Sequence, residues 1–191
     1  MRNSTLIFLL FWIISGAFAQ EKPKILITYF SQSGSTETLA ESIAAGARSV
    51  EGVDVWVGPL EKVKENQILE ASAIILGSPV YNGNPAPQVL EFINSWPFEN
   101  RPLKDKLGAA FATGGGISIG EEGVMLSIHQ SMLIHGMILV GGETVEAAFG
   151  ASAVTGEGPF GKEDMDKLFL DKGFGLGKRV SELAINLHRR P

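Results

Sequence analysis

The stretch that decides the fold is residues 24–36, KILITYFSQSGST. Its first seven residues are a short apolar run between a charged segment and a Ser/Gly cluster, which is typical of a strand buried on both faces. The next six, residues 31–36, carry four hydroxyls around Gly34. The apolar residues that then recur every four positions from Leu39 predict a helix, and hence a strand–loop–helix unit.

The same alternation continues along the chain and predicts a parallel α/β sheet covered by helices on both faces. Further strands are predicted at residues 53–57, 73–77, 107–113 and 137–140, and helices within 61–71 and at 88–96, 121–134 and 162–187. Five strands joined in this way form a three-layer sandwich.

Composition excludes several classes of protein. The 191 residues, 45% hydrophobic and 19% charged, suffice for one buried core but not for two ordinary domains. The sequence contains no cysteine, which excludes a disulfide framework, a thiolate metal site and a cysteine nucleophile, and no metal site is predicted. With 16 basic against 21 acidic residues, the chain lacks the basic surface that binds nucleic acid.

Residues 1–19 have the pattern of a secretory signal peptide. Arg2 precedes an apolar run at 6–14, and Ala17-Phe18-Ala19 fits the cleavage site. Nine apolar residues are too few to span a hydrocarbon core of about 30 Å, so an uncleaved anchor is the weaker alternative. We expect export to the periplasm or medium, with a mature domain of residues 20–191 that carries 15 basic and 21 acidic residues.

Polar, glycine-rich segments follow the first, third and fourth predicted strands. They are SQSGST (31–36), SPVYNGNP (78–85) and TGGGIS (113–118). In open parallel sheets, ligands bind outside the carboxyl ends of the strands. Three such segments at one end of a sheet therefore predict a binding site.

Each segment suits a different part of a ligand. The hydroxyls and helix amides of the first can hold a phosphate, although a simple helix cap is the alternative. That segment has neither a P-loop lysine nor a GxGxxG pattern. The second segment, with Tyr81, suits a flat heteroaromatic ring, unless it is an exposed turn. The third brings bare glycine backbone to a ligand, or is a flexible loop.

Ser31-Gln32-Ser33-Gly34-Ser35-Thr36 resembles the flavodoxin phosphate loop, T/S-x-T/S-G-x-T/S after the first strand. The remainder resembles the flavin mononucleotide (FMN)-dependent NAD(P)H:quinone oxidoreductases once named tryptophan-repressor-binding protein. This resemblance covers most of residues 24–187 and is most specific in His135-Gly136-Met137 and Phe149-Gly150-Ala151-Ser152. It implies a flavodoxin-like fold, a five-stranded parallel sheet in the order 2-1-3-4-5, and FMN as the cofactor.

The sequence departs from that family in two places. Tyr81-Asn82 stands where the family has Arg-Phe, and the segment before Phe149 is shorter than in typical members.

The resemblance also implies site residues. The predicted cofactor-binding residues are Ser31, Gln32, Ser33, Gly34, Ser35, Thr36, Pro79, Val80, Tyr81, Asn82, Gly83, Thr113, Gly114, Gly115, Gly116, Ser118 and His135. His135 is in addition the predicted catalytic residue, for substrate placement or proton delivery. The alternative for His135 is a histidine at a helix C-terminus, where the helix dipole favours an imidazolium. His129 is expected to be structural and His188 to lie on the surface.

The expected reaction is electron transfer from NAD(P)H to a quinone by way of FMN. A one-electron carrier of the flavodoxin type and a flavin-free binding module are the alternatives. Because an exported protein meets little NAD(P)H, an envelope redox partner is an alternative electron donor. A homo-oligomer is left open.

Overall fold

The computed structural model describes residues 21–161 and 164–188. The predicted signal peptide and its cleavage site lie outside the described residues. The strands are β1 Lys24–Tyr29, β2 Asp54–Pro59, β3 Ala73–Tyr81, β4 Asn84–Pro85, β5 Leu107–Gly114, β6 Ile138–Leu139 and β7 Ala151–Val154. The helices are α1 Ser35–Arg48, α2 Glu65–Glu70, α3 Pro87–Asn94, α4 Glu121–Ile134 and α5 Lys167–His188, with 3-10 turns at Leu60–Lys62 and Val145–Ala147. None of these helices is long and apolar enough to cross a membrane.

One sheet organises the molecule, with strand order β2-β1-β3-β5-β6. These strands are parallel, β4 pairs antiparallel with the end of β3, and β7 pairs parallel with β5. Without the short β4, the path follows the predicted order 2-1-3-4-5. The parallel α/β prediction is confirmed.

The fifth strand is divided, which differs from the continuous strand predicted at 137–140. Ile138 pairs with Leu107 at the start of β5, whereas β7 pairs with its end, from Phe111 onward. The chain leaves the sheet edge between these two pieces. At Gly141 a Cβ would overlap the carbonyl oxygen of Ala148, so the return of the chain needs a glycine there.

The alternation of side chains along β1 builds the three layers. Ile25 and Ile27 belong to a core shared with α1 and α5, and Leu26 belongs to a second core shared with α3 and α4. The side chains of both cores, which lie between the sheet and its helices, are almost completely buried. The apolar face predicted for α1, which begins with Leu39, lies in the first core.

Helix α5 packs closely on α1 through glycines. A Cβ at Gly177 would overlap the carbonyl oxygen of Ile43, and one at Gly46 would overlap that of Phe174. This contact fixes α1 and, with it, the segment that precedes its first turn. Helix α5 begins at Lys167, later than the predicted residue 162. Residues 162–163 lie outside the described part of the chain.

Candidate functional site

A cleft of about 430 Å³ lies at the carboxyl ends of β1, β3 and β5. Its lining residues are Gln32, Ser33, Ser35, Thr36, Pro79, Val80, Tyr81, Thr113, Gly114, Gly115 and Thr155. All three predicted segments therefore meet in one place. The volume is in the range of cofactor and small-molecule pockets.

Ser31, the first residue of the segment before α1, stabilises the turn that this segment makes. Gly34 precedes α1 with φ 91°, a left-handed conformation that favours glycine. Ser31 Oγ accepts hydrogen bonds from the N–H of Gly34 (3.1 Å) and of Glu37 (3.4 Å). Ser31 thus holds the turn, and it is not among the residues that line the cleft.

The next hydroxyls face the cleft. Ser33 is exposed, Ser35 is half-buried and Thr36 is buried. The hydroxyl of Thr36 is 2.8 Å from that of Thr113, so a hydrogen bond joins the first segment to the third. Because the first-turn amides of a helix have no partner within the helix, this corner combines hydroxyl and N–H donors.

Tyr81 connects the second segment to the first. Its hydroxyl donates a hydrogen bond of 2.5 Å to Gln32 Oε1, and its ring contacts the edge of Phe30 at a centroid distance of 6.5 Å. Pro79, Val80 and Tyr81 belong to β3 itself, not to a loop as predicted. The aromatic ring is therefore held by strand pairing, on the wall of the cleft.

Asn82 and Gly83 form the turn between β3 and β4. Their φ angles are 52° and 76°, as in the two-residue hairpin turns in which Asn-Gly is preferred. Asn84 Nδ2 donates to the carbonyl oxygen of Asn82 at 2.9 Å. Both turn residues are exposed and outside the cleft lining, so the structure shows a turn here, and their role in ring binding stays a prediction.

The third segment divides between the cleft and a neighbouring loop. Thr113 and Gly114 end β5, and a Cβ at Gly115 would meet no atom within 4 Å, so Gly115 borders open space. Gly116 instead faces Glu157, and a Cβ at Gly116 would lie 2.6 Å from the Oε2 atom of that side chain. Ser118, with φ 59°, is exposed. Neither Gly116 nor Ser118 is among the residues that line the cleft, and contact of these two residues with the cofactor stays a prediction.

Several solved structures share the fold of this chain. A WrbA-like flavodoxin from Agrobacterium tumefaciens superposes with TM-score 0.71 at 20% identity, covering 86% of this chain and 99% of the other. A flavodoxin from the domain Archaea gives TM-score 0.67 at 26% identity, covering 85% and 99%. The rubredoxin oxygen:oxidoreductase of Desulfovibrio gigas gives 0.69 at 19% identity, covering 89% and 38%.

The fold is flavodoxin-like. Residues 58–152 also match the model of a family described as NADPH-dependent FMN reductase. This span contains the second and third cleft segments but begins after residues 31–36. The phosphate-loop resemblance therefore rests on separate residues from those that match the family.

Thr155 completes the cleft of this flavodoxin-like domain and was not predicted. Its N–H donates to the carbonyl oxygen of Gly114 at 2.8 Å, immediately after β7. The strand before it, Ala151–Val154, consists mainly of small residues and has no strong strand pattern. The only sequence signal for Thr155 was its position directly after a strand, because the residue after a parallel strand lies at the ligand-binding edge of the sheet.

Within one chain, His135 does not lie beside the cleft, where it was predicted. It follows the last turn of α4, where Gly136 accepts a hydrogen bond from the N–H of Asp105, just before β5 begins. Thr113 lies six residues beyond Leu107 along β5, which is about 20 Å of strand. His135 is thus at the amino end of the sheet in this flavodoxin-like fold.

The surroundings of His135 also correct its alternative role. Its ring packs between Trp96 and Phe98, at centroid distances of 5.4 and 5.3 Å. Burial, reinforced by the nearby Arg101 charge, lowers the pKa of His135. The site therefore favours a neutral imidazole over the imidazolium expected at a helix C-terminus.

The other two histidines lie outside the cleft lining. His129 is buried in α4, and burial lowers its pKa. His188 ends α5 and is exposed.

Proposed function

We propose that this chain is a flavin oxidoreductase that transfers electrons from NAD(P)H to a quinone. FMN is the cofactor, in agreement with the FMN reductase family match and with the flavodoxin neighbours. The observation that carries the proposal is the meeting of three segments, one rich in hydroxyls, one aromatic and one of glycines, around a single cleft.

The hydroxyl corner fits a phosphate. Ser33, Ser35 and Thr36 line the cleft beside the first turn of α1, where backbone N–H groups and the helix dipole favour an anion. Ser31 braces the turn from behind through its bonds to Gly34 and Glu37. These residues would hold the FMN phosphate without a lysine or arginine.

A second part of the cleft fits a flat ring. Tyr81 presents an aromatic side chain, and Gly115 borders a space that no side chain fills. An isoalloxazine placed there would have an aromatic group against it and backbone along its edge. When bound, FMN accepts a hydride and passes electrons on, and the protein supplies binding, orientation and shielding from water.

The open space at Gly115 favours an enzyme over an enclosed carrier. Hydride transfer requires the nicotinamide to lie directly over the flavin, so one face must be accessible. Gly115 is exposed and a Cβ there would touch nothing. The description of the matched family, NADPH-dependent FMN reductase, also supports a nicotinamide donor.

A one-electron carrier is the second candidate. The likeness to an archaeal flavodoxin, at 26% identity over 85% of this chain, favours it. Such a carrier would use the same phosphate corner and ring site and would exchange electrons with a protein.

We also propose that the protein works outside the cytoplasm. The support is the pattern of residues 1–19, a basic start, an apolar run and Ala17-Phe18-Ala19. In that compartment an envelope redox partner is the alternative electron donor to NAD(P)H. Mass spectrometry of the exported protein should find its first residue at Gln20 or within a residue or two of it, whereas an intact Met1 or Arg2 would contradict export by cleavage.

The decisive test uses the mature chain, residues 20–191, loaded with FMN. We expect the flavin absorbance band to disappear on addition of NADH or NADPH and to return with benzoquinone. Steady-state rates should follow ping-pong kinetics, because donor and acceptor use one open flavin face in turn. A tightly bound flavin that accepts no hydride but exchanges single electrons with a redox protein would support the carrier instead.

A further inference from the structure

Glu121, the first residue of α4, is a buried carboxylate behind the glycine segment of the cleft. Glu121 is only 8% exposed to solvent. Its Oε1 is shielded from solvent and has no hydrogen-bond partner among the described residues. A Cβ on Gly114 would overlap this oxygen, so the carboxylate occupies the place of a Gly114 side chain. Gly114 itself lines the cleft, and one residue therefore separates the carboxylate from the ligand space.

Fold stability does not account for this arrangement. An unpartnered buried polar atom destabilises a protein, more so when it is charged. The exposed neighbour Glu122 already gives α4 an acidic residue in its first turn. Lys172, a cation that interacts with the charge of Glu121, donates its hydrogen bond instead to Ser152 Oγ at 2.8 Å. The buried Glu121 oxygen thus lowers the stability of the fold, and it lies next to the place where the ligand binds.

We propose that Glu121 sets the reduction potential of the FMN in this cleft, an inference that rests on the proposed FMN site. In mildly alkaline solution, reduction by two electrons and one proton leaves the flavin with one more negative charge. A fixed carboxylate behind Gly114 opposes that charge. Its burial makes the repulsion stronger and less screened by salt than that of a surface carboxylate. Glu121 would therefore hold the potential low and make reduced FMN a stronger reductant.

The test compares Glu121→Gln with Glu122→Gln, two adjacent changes that each remove one negative charge. Midpoint potentials of the FMN-loaded proteins are measured by spectroelectrochemistry in mildly alkaline buffer. In E121Q we expect the affinity for reduced FMN to rise about tenfold relative to that for oxidised FMN, which is about 30 mV upward for a two-electron couple. The E122Q protein should keep the wild-type potential. An unchanged potential in E121Q, or an equal shift in E122Q, would overturn the proposal.

Two further measurements separate charge from packing. Glu121→Asp keeps the charge on a shorter side chain, and its potential should stay closer to wild type than that of E121Q. A shift in E121D as large as that in E121Q would overturn the charge argument. Thermal unfolding of the apo proteins should show E121Q at least as stable as wild type, because a neutral amide is less unfavourable to bury than a carboxylate. A loss of stability in E121Q with an unmoved potential would assign Glu121 a structural role only.

The proposed function is tested separately by titrating wild-type apoprotein with FMN. Failure of the wild type to bind FMN contradicts the FMN site itself. Binding of FMN with the same potential in wild type and E121Q contradicts only the role of Glu121.

Discussion

The two ends of the central sheet treat polar and aromatic groups in opposite ways. At the carboxyl end, Thr36 and Thr113 join two segments around a cleft, and Tyr81 stands on its wall. At the amino end, the ring of His135 packs between Trp96 and Phe98, and burial lowers its pKa. The hydroxyls at the carboxyl end face the cleft, whereas the imidazole at the amino end is enclosed by aromatic rings.

Helix α4 connects these ends and explains why they remain separate. It begins at Glu121, behind the cleft, and ends at Ile134, beside His135. Its 14 residues, at about 1.5 Å each, span about 20 Å. Residues at opposite ends of such a helix cannot contact the same small ligand within one chain. The direction of the helix or strand that carries a motif residue therefore decides which end of the sheet that residue reaches.

The largest expected effect is on phosphate binding. Replacing Ser33 and Thr36 together with alanine removes two cleft hydroxyls. A hydrogen bond to a charged group contributes about 1.5–3 kcal/mol, so FMN affinity should fall by roughly 10²- to 10⁴-fold. Isothermal titration of the apoprotein with FMN measures this change.

Thr38→Ala is the matched control on the same helix. Its hydroxyl donates to the carbonyl oxygen of Gly34 at 3.1 Å and it does not line the cleft. FMN affinity in this variant should stay near the wild-type value. Equal losses in the control and the double variant would mean that these hydroxyls act only on the local fold.

A smaller effect is expected at the ring. Tyr81→Ala removes the aromatic wall and should weaken FMN binding about tenfold, with a changed flavin spectrum, since an aromatic contact contributes about 0.5–1.5 kcal/mol beyond area burial. Tyr81→Phe removes only the hydrogen bond to Gln32 and should lose about threefold or less. FMN fluorescence titration of both variants measures the difference. If the two variants lose affinity equally, the hydroxyl matters and the ring does not.

The pH dependence of stability should report on the enclosed histidines instead of the cleft. Burial lowers the pKa values of both His129 and His135 below the usual 6.5. The unfolded chain then binds protons more readily, so stability is full above about pH 6.5 and falls as the pH drops below that value. Apoprotein melting temperatures should therefore decrease on acidification. The double variant His129→Gln and His135→Gln should show a shallower decrease, and an identical slope would contradict this assignment.

The sequence predicted the flavodoxin-like layers well because the signals are local. The run at residues 24–30 and the spacing from Leu39 both report burial directly, and the structure places these residues in its cores. The division of the last strand was not predictable in the same way. It depends on a close backbone approach between Gly141 and Ala148, which involves tertiary contact and leaves no periodicity.

Within the site, some features could be predicted from the sequence and others could not. Asn82-Gly83 is a strong hairpin-turn signal, and its turn role could have been inferred from that dipeptide. The pairing of Tyr81 with Gln32 could not, because it joins side chains 49 positions apart in sequence. The burial of Glu121 behind Gly114 likewise requires the packed structure, since an acidic residue at a helix start normally indicates only a favourable dipole contact.

The smallest expected effect is the sharpest test of the separation between the two ends. His135→Gln changes a side chain about 20 Å of strand from the cleft, as counted along β5 from Leu107 to Thr113. FMN affinity and the reduction rate by NADPH should therefore stay within about twofold of wild type, the range of substitutions remote from a function. The melting temperature, in contrast, should change, because His135 contacts Trp96 and Phe98. A large loss of FMN reduction with an unchanged melting temperature would return His135 to the active site, and contact with the cleft of a second copy of the chain would then be required.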